Sequence, residues 1–195
     1  INNNKFRYLP VGKYQVPDYF IYIIKNGLVK VGSNNIFSED GMKITGLNFQ
    51  EIKLDFHIIR NFKKIKIRYL DGDLLILGVG LIETNYSHAW TEFAARAYAT
   101  KISKIKYDFI LIDNKIEFLT QILNLIDLPQ KNIIYSEGNE YIKARKIVYP
   151  ELINNFKEYF LNGTFVYHRK YLPYWIKFLY DDVSRKILSK DLNNS

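Results

Sequence analysis

Between residues 85 and 96, four side chains able to bind a polar ligand or move a proton fall into step: Asn85, His88, Glu92 and Arg96. The stretch from Ser87 to Ile102 reads as a helix. At about 100° per residue, His88 and Glu92 then lie within about 40° of each other on one face. The next turns of that face carry Ala95 and Ala99, small residues that leave room for a ligand, while Trp90, Phe93, Ala94 and Ala97 make an opposite face suited to burial. Asn85 is a good N-cap, which puts His88 in the first turn. The positive end of a helix disfavours an imidazolium, and a carboxylate one turn on favours it. Together they suit a base that rests neutral and accepts a proton from an attacking hydroxyl. Glu92 is the rival base, and a histidine that merely packs an interface would show the same spacing.

Other spacings carry less chemistry. Asp71-Gly72-Asp73 has the D-x-D pattern that holds a cation on a nucleotide diphosphate in many transferases. It precedes an apolar strand, however, whereas ligands of open α/β sheets bind beyond the carboxyl ends, so it reads as a turn and no metal is expected. Gly78-Val79-Gly80 lacks the third glycine of a dinucleotide fingerprint, because Glu83 stands where it would fall, and no cofactor is expected. His57 and His168 are isolated, and Asn85-Tyr86-Ser87 and Asn162-Gly163-Thr164 read as chance matches to the glycosylation sequon. Tyr171, Tyr174, Trp175 and Phe178, with Lys177, can form either a membrane-facing aromatic surface or a core-facing stripe.

Composition narrows the function classes. The chain has 195 residues, 48% of them apolar, and no cysteine, which excludes disulfides, a thiolate nucleophile and a cysteine-ligated zinc. Its net charge of +8 and its 16 tyrosines permit a nucleic-acid reading. Yet the lysines are scattered, with Lys63, Lys64, Lys66 and Arg68 the densest patch, and Ile, Lys, Asn and Tyr are the residues that AT-rich codons supply. No nucleic-acid partner is expected. The longest apolar run, Leu74 to Ile82, falls short of the ~20 residues that span a bilayer, and no charged-then-apolar leader opens the chain. A cytoplasmic protein is expected, with peripheral contact at an inner membrane face allowed by its charge.

These residues need a frame. Tyr19 to Lys25 and Leu28 to Val31 read as strands joined by a tight Asn26-Gly27 hairpin, with Asp40-Gly41 as a second turn and Ile65 to Tyr69 as a further strand. Beyond Asp73 the pattern alternates. Strands are expected at Leu74 to Val79, Phe109 to Ile112, Asn132 to Tyr135 and Ile142 to Val148, and helices at Ser87 to Ile102 and Ile116 to Ile126. Pro150 and Pro173 suit helix starts, so Glu151 to Leu161 and a last stretch to Leu188 are expected to be helical. The alternation predicts an α/β fold, a doubly wound parallel sheet with helices on both faces. A small β-rich subdomain over residues 1–70 precedes the main domain over 71–188. The opening on Ile1 and the polar residues 189–195 read as cut ends, the latter as a linker.

The run Asn85-Tyr86-Ser87-His88-Ala89-Trp90-Thr91-Glu92, followed by Phe93-Ala94-Ala95-Arg96, resembles the Asn-x-x-His-x-x-x-Asp/Glu signature of glycosyltransferase family 61, without the proline that usually precedes the arginine. Residues 108 to 150 are similar to bacterial capsular polysaccharide members. They share a strand ending Leu111-Ile112-Asp113, a helix closing Leu125-Ile126-Asp127-Leu128, then Asn132-Ile133-Ile134-Tyr135 and a strand ending at Pro150. The resemblance covers residues 19 to 188 loosely. It implies a Rossmann-like domain of GT-B type, the acceptor-side half of an inverting, metal-independent enzyme that moves a sugar from a nucleotide-sugar donor to a glycan acceptor in bacterial surface polysaccharide synthesis. His88 and Glu92 would be catalytic, and Asn85, Tyr86 and Arg96 would bind substrate. Donor binding would fall mainly to a second, downstream domain, so residues 1–195 alone would lack transferase activity. A non-catalytic carbohydrate-binding or assembly module of the same fold is the alternative.

Overall fold

The computed structural model describes residues 19–32, 35–44, 67–78, 86–112, 115–130, 132–135, 140–151, 157–161, 164–168 and 175–193. Nine strands are found among them: β1 (Ile21–Lys25), β2 (Leu28–Lys30), β3 (Asn35–Phe37), β4 (Ile67–Ile76), β5 (Phe109–Ile112), β6 (Ile133–Tyr135), β7 (Tyr141–Pro150), β8 (Lys157–Leu161) and β9 (Thr164–His168). Helix α1 runs through Tyr86–His88, Ala89–Phe93 and Ala94–Ile102, α2 spans Glu117–Ile126, and α3 spans Trp175–Asn193.

The result is a mixed α/β fold on a seven-stranded sheet of order β3-β2-β7-β4-β5-β6, with β1 also paired to β7. Its centre is parallel. Leu74 pairs with Phe109, Ile110 with Ile133 and Leu74 with Ile147, all in the same direction. These strands are continuous apolar runs because both of their faces are covered. Leu75, Leu77, Ile110, Ile112 and Val148 join one buried cluster with residues of all three helices. The alternate residues Leu74, Ile76, Leu111, Ile147 and Tyr149 join a second cluster with Val29, Val31 and Ile36.

The expected winding on both faces is corrected here, since the described helices all share the first cluster. The reason is topological. The chain steps from β4 to β5 to β6 in one direction across the sheet, and right-handed crossovers taken in one direction place their helices on the same face. The β-rich N-terminal stretch is likewise not set apart. Strands β1, β2 and β3 lie in the same sheet, and β4 runs unbroken past residues 70 and 71.

Asn26-Gly27 does not reverse the chain. Ile21 pairs with Pro150 and Leu28 with Lys143 in one continuing antiparallel register, so β1 and β2 form a single lane along β7. Asn26 interrupts that lane with φ 49°, while its N–H still donates to the Arg145 carbonyl at 2.8 Å. Gly27 is needed for space, because a Cβ there would sit 2.8 Å from Ile147 Cδ1. The expected turn at Asp40-Gly41 is present, closed by the Gly41 N–H on the Ser38 carbonyl at 3.0 Å with Gly41 at φ 82°.

Two helical expectations also change. Part of the stretch from Glu151 to Leu161 is strand β8, which pairs with β9 in an antiparallel hairpin of register Leu161 to Thr164. The alternating Tyr159, Leu161, Thr164 and Val166 suit a ribbon better than a helix. Helix α3 continues to Asn193, so the polar residues from Ser189 onward begin as helix and not as linker. Pro150 closes β7 instead of opening a helix.

Helix α2 ends at Asp127, which takes the left-handed conformation at φ 55°. Its last carbonyls are capped from two sides. Lys101 Nζ donates to the Ile126 carbonyl at 2.6 Å and Lys186 Nζ to the Leu125 carbonyl at 2.7 Å, and both lysines meet the Asp127 carboxylate. Cations at this negative helix end tie α1, α2 and α3 into one layer.

Candidate active site

The first turn of α1 brings His88 to the carboxyl end of the parallel strands, the edge where open α/β sheets hold their ligands. Its side chain is exposed. Directly after it, Ala89–Phe93 forms a π turn closed by the Ala94 N–H on the Ala89 carbonyl. Each bond there spans five residues instead of four, which advances the faces that follow. The two members of the expected pair sit in different surroundings. Glu92 is 1% exposed, and Ala95 and Ala99 are buried with it. The small residues expected to leave room for a ligand are packed into the domain instead.

Arg96 corrects its expected role as a substrate ligand. It is wholly buried. Its Nε donates to the Pro150 carbonyl at 2.9 Å, Nη1 to the Leu77 carbonyl at 2.6 Å and Nη2 to the Ile76 carbonyl at 2.9 Å, and its guanidinium lies 4.7 Å above the Tyr149 ring. Three of five donors thus satisfy main-chain oxygens at the carboxyl ends of β4 and β7. The side chain is a clamp that seats α1 on the sheet edge, and with it the turn that carries His88.

Around the clamp lies a buried polar layer that sequence reasoning missed. Tyr19 donates its hydroxyl to the Glu151 carbonyl at 2.7 Å, and the Glu151 carboxylate accepts the Phe20 N–H at 3.3 Å. Burial pushes the Tyr19 phenol well above its ordinary value. Arg96 opposes that rise, while Glu92, Glu151 and Tyr149 add to it. Tyr149 is raised as well, by burial first, with Arg96 opposing and Glu92, Glu151 and Tyr22 adding. One guanidinium and two carboxylates therefore share a dry layer, which is tolerable because the cation has opposite charges near it and three of its donors on main-chain carbonyls. Trp175 closes the layer, edge-on to Tyr19 at 5.2 Å and stacked on Tyr98 at 6.2 Å. The one available signal was Tyr149, at the end of an apolar strand.

Tyr86 is 63% exposed at the same edge, with edge contacts to Trp90 at 6.5 Å and Phe118 at 5.5 Å. Asn85, Val79, Gly80, Glu83, His57, Tyr171 and Tyr174 lie outside the described residues. Gly78 is buried and donates its N–H to the Leu111 carbonyl at 3.2 Å. Trp175 faces the core and Phe178 is 48% exposed, so the expected aromatic stripe is divided. His168 pairs with Lys157 in the hairpin.

Asp71-Gly72-Asp73 is a bulge inside β4 and not a turn, since Leu70 pairs with Ala144 but Asp73 with Lys146. Gly72 permits it, as a Cβ would meet Phe109 Cε2 at 2.7 Å and Asp108 Oδ2 at 2.8 Å. Asp73 is met by Arg145 at 2.8 Å and Lys146 at 3.0 Å, and its N–H donates to Asp108 at 2.8 Å. Burial raises its carboxyl, but the hydrogen bonds and charges of Arg145 and Lys146 outweigh that and hold it below the ordinary carboxylate range.

No protein-family model matches the chain, and comparison with curated proteins and with solved structures finds no match. Among the described residues, no helix is long and apolar enough to cross a membrane.

Proposed function

We propose that the chain is the acceptor-side part of an inverting, metal-independent glycosyltransferase of bacterial surface polysaccharide synthesis. It would take a sugar from a nucleotide-sugar donor held mainly by a second domain and pass it to a glycan acceptor. The reading includes a cytoplasmic site of action, peripheral at the inner membrane face. The observation that carries it is the placement of His88: an exposed imidazole on the first turn of α1, at the carboxyl edge, on a helix start anchored by the Arg96 clamp. In such a transfer the acceptor hydroxyl attacks the anomeric carbon, the nucleotide diphosphate leaves with the bonding pair, and the hydroxyl proton passes to the base. Exposure suits His88 to that role. Burial suits Glu92 to a supporting one, one turn deeper on the same helix.

A non-catalytic carbohydrate-binding module of the same fold is the second reading, favoured by the burial of Glu92 and Arg96, which commits two motif residues to architecture. Transfer assays on the full-length enzyme containing this chain separate the two. His88→Ala is expected to lower turnover by ~100-fold or more with the unfolding midpoint unchanged. Glu92→Gln should lower it less if its charge only supports the imidazole. Parental turnover in both variants would overturn the assignment.

A further inference from the structure

The carboxyl edge carries, beside His88, aromatic and cationic groups that the proposed proton transfer does not use. Tyr86 is 63% exposed, yet its ring is fixed from two elements, Trp90 of α1 at 6.5 Å and Phe118 of α2 at 5.5 Å. An exposed ring held in this way offers a fixed aromatic surface to a ligand. Lys115, between β5 and α2, is exposed and places its Nζ 6.0 Å above the ring of Tyr135, the residue that ends β6 opposite Ile112. It makes no ion pair among the described residues, and Phe118 follows it by three positions, so the cation and the platform share one edge. The nearby acid, Glu117, accepts a hydrogen bond from Gln121 Nε2 at 3.2 Å along its own helix.

A pyranose ring has an apolar face of C–H groups that packs on an aromatic ring, and an ammonium prefers an oxyanion to a hydroxyl. Tyr86 and His88 both stand in the first turn of α1, at the carboxyl edge. From these placements, and resting on the glycosyltransferase reading, we propose that this edge is the acceptor subsite and selects an anionic sugar. The pyranose stacks on Tyr86, and a carboxylate or phosphate substituent is met by Lys115.

Titration of residues 1–195 with glucuronate, glucose 1-phosphate, glucose and inorganic phosphate, followed by calorimetry or NMR shifts, tests it. Both anionic sugars should bind ~5-fold or more tighter than glucose and than inorganic phosphate, the scale of one exposed charge-assisted contact. The tighter of the two identifies the substituent as carboxylate or phosphate. Lys115→Ala should bring both to the level of glucose. Tyr86→Ala should weaken every sugar by about 10-fold, while Tyr86→Phe keeps the ring and the affinity. Equal affinity for glucose, inorganic phosphate as tight as glucose 1-phosphate (an adventitious ion only), unchanged binding in both alanine variants, or no binding would each overturn the subsite. The subsite is read from the affinities of the Tyr86 and Lys115 variants and the base from turnover of His88→Ala, so the two fail independently.

Discussion

At the carboxyl end of β4 a guanidinium without solvent contact feeds three main-chain carbonyls, whereas at the bulge of the same strand a carboxylate is met by two cations that stay in water. Arg96 is wholly buried and its acceptors belong to Ile76, Leu77 and Pro150. Asp73 is buried too, but Arg145 keeps 57% of its side-chain exposure and Lys146 43%. The two arrangements have different energetics. A cation in a dry layer depends on each fixed oxygen, because removing it strands carbonyls and carboxylates that water cannot reach. A carboxylate whose partners are solvated loses modest Coulomb energy when one leaves. The rigid arrangement stands under the proposed site and the compliant one lies away from it, which fits a domain that must hold a proton acceptor in register.

Arg96→Met is expected to give the largest loss of stability, about 3–5 kcal/mol, since the volume is kept while the buried carboxylates lose their cation. Urea unfolding would measure it, and a loss below about 1 kcal/mol would break the contrast between the two ends. Gly72→Ala should come second at about 2 kcal/mol, because its Cβ would lie 2.7 Å from the Phe109 ring, though the half-exposed Asp108 can move aside. A loss as large as that of Arg96→Met would mean that the bulge is no more compliant than the clamp.

Much of the frame was legible because apolar runs of strand length alternate with amphipathic helices. The strands Phe109–Ile112 and Ile133–Tyr135 and the helix Glu117–Ile126 stand within a residue or so of where periodicity puts them. What failed was non-local. Asn26-Gly27 carries the usual hairpin dipeptide, yet both flanking strands find β7, more than a hundred residues away, so no hairpin forms. Asn162-Gly163 carries the same dipeptide and lies outside the described residues, while the flanking Leu161 and Thr164 pair in the β8–β9 hairpin. At the candidate site, type and spacing singled out His88, which lies exposed on the first turn of α1. Arg96 misled because its partners are carbonyls, which have no residue identity to read. The π turn at Ala89–Phe93 likewise has no compositional mark, and it rotates the later residues Ala95 and Ala99 from the face that α-helical pitch gives them.

The smallest effect belongs to Asp73→Asn, and its dependence on pH makes it the sharpest check of the comparison. Arg145 and Lys146 hold the Asp73 carboxyl below its ordinary value, against the burial that would raise it. A carboxylate whose folded pKa lies below its unfolded one stabilises the fold fully above the unfolded value, ~3.9, and loses that contribution as pH falls through the folded one. The parent protein should therefore exceed Asp73→Asn by about 1 kcal/mol at neutral pH, discounted for the exposure of both cations. The gap should narrow as pH drops below the ordinary carboxylate range, and added salt should shrink it at pH 7. Arg96→Met has no such titrating partner in water, and its loss should stay nearly constant with salt. Unfolding midpoints of parent and variants measured between neutral and acid pH would test both statements. A gap for Asp73→Asn that persists unchanged into acid would mean that the carboxylate acts through its hydrogen bonds and not its charge, and the bulge would then resemble the clamp it is contrasted with.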